Sequence, residues 1–267
     1  MQPPKKGNFA LAIKDIKDGV GSIYIWPMLG WLEIKQRYRR SVLGPFWLTL
    51  STGVMVTGMG PLYGRLFNQD ISSYFQYIAI SFVFWQFISN LMIESCQAFI
   101  TAEGYVKQTK LPLSVHVLRV VWKNLIMLGH NMIIILAVLA YTRPEISWNI
   151  LFFPVGVLLI AINGLWFGLL LGLLCARFRD IPQVIVSLVQ VALFLTPIMW
   201  RAEMLGEHRW VVNLNPIFHF LEIVRQPLSG GMPSFVTLCA VTLITIGGYV
   251  TTLLVFSKYR SRIAYWV

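Results

Sequence analysis

The chain has 267 residues, of which 57% are hydrophobic and only 12% charged, and its formal net charge is +11. Because a soluble domain carries about 25% charged residues, this composition excludes a water-soluble globular fold. The 14% aromatic content also excludes a disordered chain. An integral membrane protein is the class that remains.

Six segments without Asp, Glu, Lys or Arg are long enough to cross a membrane, since one helical crossing takes about 20 apolar residues. They are residues 41–64, 71–93, 124–142, 146–176, 181–200 and 226–257. The sequence therefore predicts an all-α membrane protein with six transmembrane helices. We divide it into an N-terminal segment (1–40), a six-span domain (41–257) and a short tail (258–267).

Positive residues concentrate on one side of the predicted spans. With six spans, 17 of the 22 Lys and Arg residues fall on the side that holds both termini. Because Lys and Arg in short loops mark the cytoplasmic side, we expect both termini in the cytoplasm. The net charge is then a topology signal. Attraction to anionic membrane lipid is a secondary effect, and nucleic acid is not needed as a partner.

The N-terminal segment mixes apolar and charged residues at helical spacing, as in "MLGWLEIKQRYRR" (28–40). This pattern is typical of an amphipathic helix lying in the headgroup plane, and a solvated juxtamembrane arm is the alternative. Gly44 and Pro45 then turn the chain into the first predicted span, since Pro suits the first turn of a helix.

The segment "TAEGYVKQTKLPLS" (101–114) follows the second predicted span on the cytoplasmic side. Gly104 and Pro112 interrupt regular structure there, which leaves room for one or two helical turns between them. A plain loop would need fewer residues. We therefore expect a docking element, with a plain loop as the alternative.

The connection between the fifth and sixth predicted spans, residues 197–233, is unusual. It holds four prolines and three glycines, yet it is rich in Trp, Phe, Leu and Ile. Two short helices that dip partway back into the membrane fit this composition better than a solvated loop. Irregular backbone is tolerated at that depth only if it is buried in protein or lines a wet cavity, so the segment indicates a pathway.

Catalytic and nucleotide-binding motifs do not occur in the sequence. The chain lacks GxxxxGK[ST], HExxH, GxSxG and CxxC, and its three cysteines are 79 and 64 residues apart. We therefore expect no catalytic, cofactor-binding or metal-binding residues. Ion-coupled carriers usually place ionisable residues within their spans, whereas Glu94 is the only charge near the interior of the early predicted spans. The energy for any transport must then come from another chain.

Aromatic residues are abundant, with 10 Trp, 10 Tyr and 17 Phe. Interfacial belts and packing account for most such residues in membrane proteins. Several lie away from the predicted interfaces or in the outer connection, where their faces could line a wide path for sugars. These are Tyr74, Tyr77, Trp85, Trp166, Trp200 and Phe218.

Four segments together resemble the ABC-2 permeases that export polysaccharides. They are "RYRRSVLGPFW" (37–47), "ARFRDIP" (176–182), "TPIMW" (196–200) and "NPIFHFLEIVRQPL" (215–228). Their order, the six predicted spans and the length agree with that family, so the resemblance covers nearly the whole chain. The spacing NPxxHxxExxRxP favours the branch that exports O-antigen lipopolysaccharide, and capsule and teichoic-acid permeases are near relatives.

The resemblance implies a multi-pass protein of the bacterial inner membrane. It implies a homodimer of this chain that binds two copies of a separate ABC-type ATPase, and that subunit holds the ATP and Mg. It implies a channel at the twofold axis for a polysaccharide linked to undecaprenyl pyrophosphate.

The same resemblance assigns roles to particular residues. The segment that couples to the ATPase comprises Glu103, Gly104, Tyr105, Val106 and Lys107, and residues 203–230 form paired re-entrant helices. The gate where lipid pyrophosphate enters comprises Arg37, Arg39, Arg40, Leu43 and Gly44. The arginines suit this role physically because a guanidinium pairs phosphate bidentately. Positive-inside anchoring is the alternative for them.

Two other functions stay open. One is an ABC-2 permease for another cargo, such as capsule, teichoic acid, a lipid or a drug. The other is a membrane enzyme acting on polyprenyl-linked sugars, which would need paired acidic residues to hold a divalent metal. The acidic residues of this sequence are scattered, so the enzyme is the weaker alternative.

Overall fold

The computed structural model describes residues 6–144 and 147–267, and of Lys6 and Gly7 only the backbone. Residues 1–5 of the N-terminal segment and Ile146, the predicted start of the fourth span, lie outside the described residues. The described chain is helical and contains no strand. Its α-helices are α1 (Lys6–Gly21), α2 (Ile25–Arg37), α3 (Phe46–Leu66), α4 (Ile71–Ser95), α5 (Glu103–Gln108), α6 (Ser114–Thr142), α7 (Phe153–Arg177), α8 (Ile181–Leu195), α9 (Pro216–Leu228), α10 (Phe235–Tyr259) and α11 (Ile263–Trp266). Short 3₁₀ helices cover Trp148–Phe152, Ala202–Leu214 and Arg260–Arg262.

Four helical stretches are long and apolar enough to cross a membrane. They are Ile71–Ser95, Leu113–Thr142, Trp148–Arg177 and Phe235–Trp266, and they overlap the second, third, fourth and sixth predicted spans. The all-helical fold and these four spans confirm that part of the prediction. Helix α3 is long but less apolar, and α8 has 15 residues, or about 22 Å of rise against ~30 Å of hydrocarbon.

Three predicted boundaries are wrong. The sixth span was predicted from residue 226, whereas α9 continues to Leu228 and α10 begins at Phe235. Helix α6 begins at Ser114, ten residues before the predicted third span, so Arg119 and Lys123 lie on a buried helical face rather than in a loop. Helix α8 ends at Leu195, five residues before the predicted end of the fifth span. At the start of α6 and after the end of α8, side chains from other helices satisfy the polar groups. A count of charge-free residues along one segment does not include such contacts.

Close helix packing at the centre of the fold depends on small residues of α7. A Cβ atom added at Gly164 would lie 2.7 Å from Leu91 of α4, and one at Gly168 would lie 2.5 Å from Val117 of α6. Glycines of this kind let helices approach closely where the surrounding lipid is as apolar as the protein. Helix α7 therefore packs directly on both α4 and α6.

The two ends of the helical bundle differ. Helices α1, α2, α5 and α11 lie at one end, which we call the terminal face, where α1 contacts α6 and α10, and α5 contacts α11. The other end, the opposite face, carries the 3₁₀ segment Ala202–Leu214 and the start of α9. The candidate functional residues fall on these two faces.

Candidate functional site

Helix α5 forms a short projection on the terminal face. Its existence agrees with the predicted turns of helix between Gly104 and Pro112. Every side chain of α5 except Val106, which is half-buried, is exposed. Lys107 donates to Glu103 over 2.6 Å, and this contact lowers the pKa of the Glu103 carboxyl. The pair therefore forms above that lowered pKa and is lost as the pH falls through it.

The turn between α2 and α3 contains the residues of the predicted gate. Gly44 has a φ of +57°, a left-handed conformation that suits glycine. The Gly44 amide donates to the Ser41 hydroxyl over 3.1 Å. Leu43, Arg39 and Arg40 are exposed beside this turn.

Arg37 differs from Arg39 and Arg40 because it alone has an acidic partner among the described residues. Its guanidinium lies 3.3 Å from the Glu94 carboxylate at the end of α4. The structure thus places Arg39, Arg40, Leu43 and Gly44 together on an exposed turn, and it links Arg37 to the membrane domain.

A cluster of charges behind Arg37 joins α2, α4 and α6. Glu33 pairs with Arg119 at 2.8 Å and with Lys123 at 2.9 Å. Lys123 also pairs with Glu94 at 3.1 Å, and Asn124 donates to Glu94 over 2.7 Å. Arg119 and Lys123 are buried, and a buried ion needs such partners to offset its desolvation. This ionic cluster borders a cavity of about 370 Å³.

The ionic cluster was not predicted from the sequence, although the sequence contains a signal for it. Arg119 and Lys123 are four residues apart, so on a helix they share a face. Glu94 was recognised as an unusual charge near a span end, and its cationic partners sit on that face. A third span extended back to Ser114 would have brought these charges together.

On the opposite face, two tyrosines of α4 bind the backbone that follows α8. The Tyr77 hydroxyl lies 2.7 Å from the carbonyl oxygens of both Pro197 and Trp200, and the Tyr74 hydroxyl donates to the carbonyl of Met199. A helix break leaves carbonyls without intrahelical partners, and inside a membrane protein these must be satisfied by other groups. The two tyrosines stabilise this break.

Helix α9 carries a buried ion pair into the same region. Arg225 donates from Nε to Glu222 over 2.9 Å, and its Nη1 donates to Ser81 over 3.0 Å and to the Pro197 carbonyl over 2.9 Å. The guanidinium also lies 4.5 Å from the centre of the Tyr77 ring. From the sequence, Arg225 was predicted to be one of the outer loop charges, whereas it is buried in the structure.

The six aromatic residues proposed to line a path lie in different surroundings. Tyr74, Trp85 and Phe218 are buried inside the chain and contact other parts of it. Trp166 donates to Asn163 over 2.7 Å, and Trp200 donates to the Phe194 carbonyl over 3.2 Å. The structure brings Tyr74, Tyr77, Trp200 and Phe218 near the helix break. The path-lining role of the six stays a prediction.

A polar cavity of about 260 Å³ lies next to the buried Arg225 pair. Tyr77, Arg201 and Glu203 are among its lining residues. Within residues 6–144 and 147–267, no group of three or more His, Cys, Asp or Glu side chains is arranged to hold a metal ion.

Comparison with known proteins places the chain among transporters. The family model described as ABC-2 type transporter matches residues 26–228. An O-antigen export system permease protein RfbA of Klebsiella pneumoniae is 24% identical over 246 residues, covering 87% of this chain and 90% of the relative. A second K. pneumoniae protein of that name is 23% identical with the same coverage. A Myxococcus xanthus protein of that name is 24% identical and covers 69% of this chain and 72% of the relative.

Proposed function

Because the chain belongs to the ABC-2 type transporter family, we propose that it is the membrane-spanning permease subunit of an ATP-driven exporter of O-antigen-type polysaccharide. One observation carries this proposal: relatives named O-antigen export permeases align with 87% of the chain. The cargo is a polysaccharide linked to undecaprenyl pyrophosphate, and it moves across the bacterial inner membrane.

In this proposal the terminal face is cytoplasmic and the membrane domain has six spans. Helix α3 has 21 residues, about 31 Å of rise, which is enough for a crossing. Helix α8 is short, so the polar break after Leu195 and the segment Ala202–Leu214 with α9 complete the outer part of the protein. The 17-to-5 distribution of Lys and Arg supports this orientation.

Helix α5 is the proposed contact with the ATPase. It offers four exposed side chains on a short helix, and it is joined to α6 by only a few residues. A docked ATPase could therefore move the start of a long membrane helix through α5. Two ATPase copies bind a homodimer of this chain and supply all ATP and Mg chemistry. This chain is then a transport component rather than an enzyme.

Arg39 and Arg40 form the proposed first contact for the lipid pyrophosphate. Both are exposed beside the Gly44 turn. Arg37, the last residue of α2, lies close by in the sequence and pairs with Glu94. A guanidinium offers a planar set of donors that matches phosphate oxygens, which a lysine ammonium does not. Because Arg37 pairs with Glu94, the proposed gate is adjacent to the ionic cluster.

The deciding experiment reconstitutes transport. The chain is expressed with its candidate ABC-type ATPase partner, the complex is purified, and ATP hydrolysis is measured in proteoliposomes with undecaprenyl-pyrophosphate-linked polysaccharide. We expect co-purification and cargo-stimulated hydrolysis. An ATPase variant whose P-loop lysine is replaced by alanine is the control and should show no stimulation. Failure of the two chains to associate, or equal stimulation by undecaprenyl phosphate without sugar, would contradict the proposal.

A further inference from the structure

Asp15 of α1 is a buried carboxylate whose partners belong to other helices. Its side chain is only 1% exposed. It accepts hydrogen bonds from the backbone N–H groups of Leu113, at 3.2 Å, and Ser114, at 3.0 Å, and the Ser114 hydroxyl lies 3.0 Å from it. The first N–H groups of a helix have no partner within that helix. Asp15 therefore caps the start of α6 from a distant part of the chain.

The same carboxylate reaches the end of α10. Arg260, which follows α10, places its Nε 3.1 Å from Asp15. Helix α1 also approaches α6 very closely, since a Cβ atom added at Gly19 would lie 2.0 Å from the Ser114 hydroxyl oxygen. One buried side chain and one close contact thus join α1, the beginning of α6 and the end of α10.

Helix α5 packs against the same end of the helical bundle. Val106 packs against a hydrophobic cluster that contains Ala12 of α1 and Ile263 of α11. The few residues after α5 lead directly to the capped residues at the start of α6. The remaining side chains of α5 are exposed, so its position depends on this support and on its connections along the chain.

We propose that α1 and the C-terminal segment form a lock that holds α5 in register with α6 and α10, and that Asp15 is its positioning residue. The inference rests on the proposed function, because the lock would transmit the movement of a docked ATPase from α5 to two membrane helices. It gives α1 a role that the resemblance does not assign.

Two matched pairs of variants test the lock. Asp15→Asn keeps the side-chain shape but replaces one acceptor oxygen by an amide donor that faces the donors of Arg260 and the α6 backbone. Asp18→Asn is its control, since Asp18 is exposed on the same helix. Gly19→Ala forces the Ser114 side chain away, whereas Gly21→Ala has no atom within 4 Å of the added Cβ and is the second control.

The first readout does not depend on transport. Spin labels at Lys107 on α5 and Leu254 near the end of α10, both exposed, report the distance between the two helices by electron double resonance in the purified full chain. We expect both Asp15→Asn and Gly19→Ala to broaden the distance distribution. For Asp15→Asn the displaced population should rise about ten- to a hundredfold, as for loss of one charge-assisted hydrogen bond. Asp18→Asn and Gly21→Ala should match the unmodified chain.

The second readout is polysaccharide exported per ATP hydrolysed by the assembled complex. Asp15→Asn and Gly19→Ala should lower this ratio, and the two controls should not. An unchanged distance distribution in both lock variants overturns the lock. A broadened distribution with an unchanged ratio overturns the positioning role and leaves Asp15 as a stabilising cap only. If the unmodified complex exports nothing, the proposed function fails, and the distance measurement still decides whether the lock exists.

Discussion

Replacing Glu222 with Gln tests whether the buried ion pair of α9 holds the opposite face together. Glu222 and Arg225 have side chains that are only 11% and 5% exposed. After the substitution, the Arg225 guanidinium keeps its bonds to Ser81 and Pro197 but loses its only carboxylate partner in the part of the chain that the structure describes. Removing one member of a buried ion pair costs about 3–5 kcal/mol.

An exposed pair on the same face supplies the comparison. Glu203 and Arg209 lie 3.4 Å apart, and their side chains are 64% and 59% exposed. Such a pair contributes only about 0–1 kcal/mol, because water and salt screen it. Glu203→Gln therefore makes the same chemical change with a much smaller expected effect.

The measurement is thermal unfolding in detergent. Samples are heated to a series of temperatures, and the protein that remains folded is quantified by size-exclusion chromatography. A change of 1 kcal/mol moves the Tm of a chain of this size by about 2–4 °C. Glu222→Gln should therefore lower the Tm by roughly 6–20 °C, and Glu203→Gln by a few degrees at most. The double variant Glu222→Gln with Arg225→Met removes both charges and should lose less than Glu222→Gln alone. Equal Tm values for Glu222→Gln and Glu203→Gln would refute the reasoning.

Three further predictions concern the terminal face and the orientation. Val106→Pro removes the 2.9 Å backbone hydrogen bond of that amide and breaks α5, so export should fail while membrane insertion persists. Val106→Ala keeps the helix and removes only side-chain packing, so it should lower export less than the Pro variant. Normal export from the Pro variant would make the segment a plain loop. Replacing Arg37, Arg39 and Arg40 together by Lys preserves every charge but loses the planar donors. Cargo-stimulated ATP hydrolysis should therefore fall by about ten- to a hundredfold, with basal hydrolysis intact. Unchanged export would leave these arginines as membrane anchors. In a cysteine-free chain, His208→Cys should react with an impermeant thiol reagent from the periplasm of intact cells, and labelling only after permeabilisation would contradict the proposed orientation.

Composition and hydropathy alone determined the class of this protein and much of its secondary structure. Long runs without charge predicted the helices that include Ile71–Ser95 and Phe235–Trp266, because backbone in lipid must satisfy its own hydrogen bonds and helices do so locally. A short helix was predicted between Gly104 and Pro112, and α5 (Glu103–Gln108) forms in that segment, although Gly104 lies inside the helix instead of ending it. The motifs at 37–47, 176–182, 196–200 and 215–228 indicated the transporter family before any contact was known.

Only the tertiary structure decided which charges are buried and what they bind. Asp15 stands in a lysine-rich segment, yet it caps α6 almost one hundred residues later, and Arg225 was counted as a loop charge although it lies beneath Tyr77. Helical spacing shows which residues share a face but not which helix that face will meet. A search for charge-free segments therefore started the third span only after Lys123. In the fold, Glu33 and Glu94 from two other helices pair with this buried ammonium and make its burial tolerable.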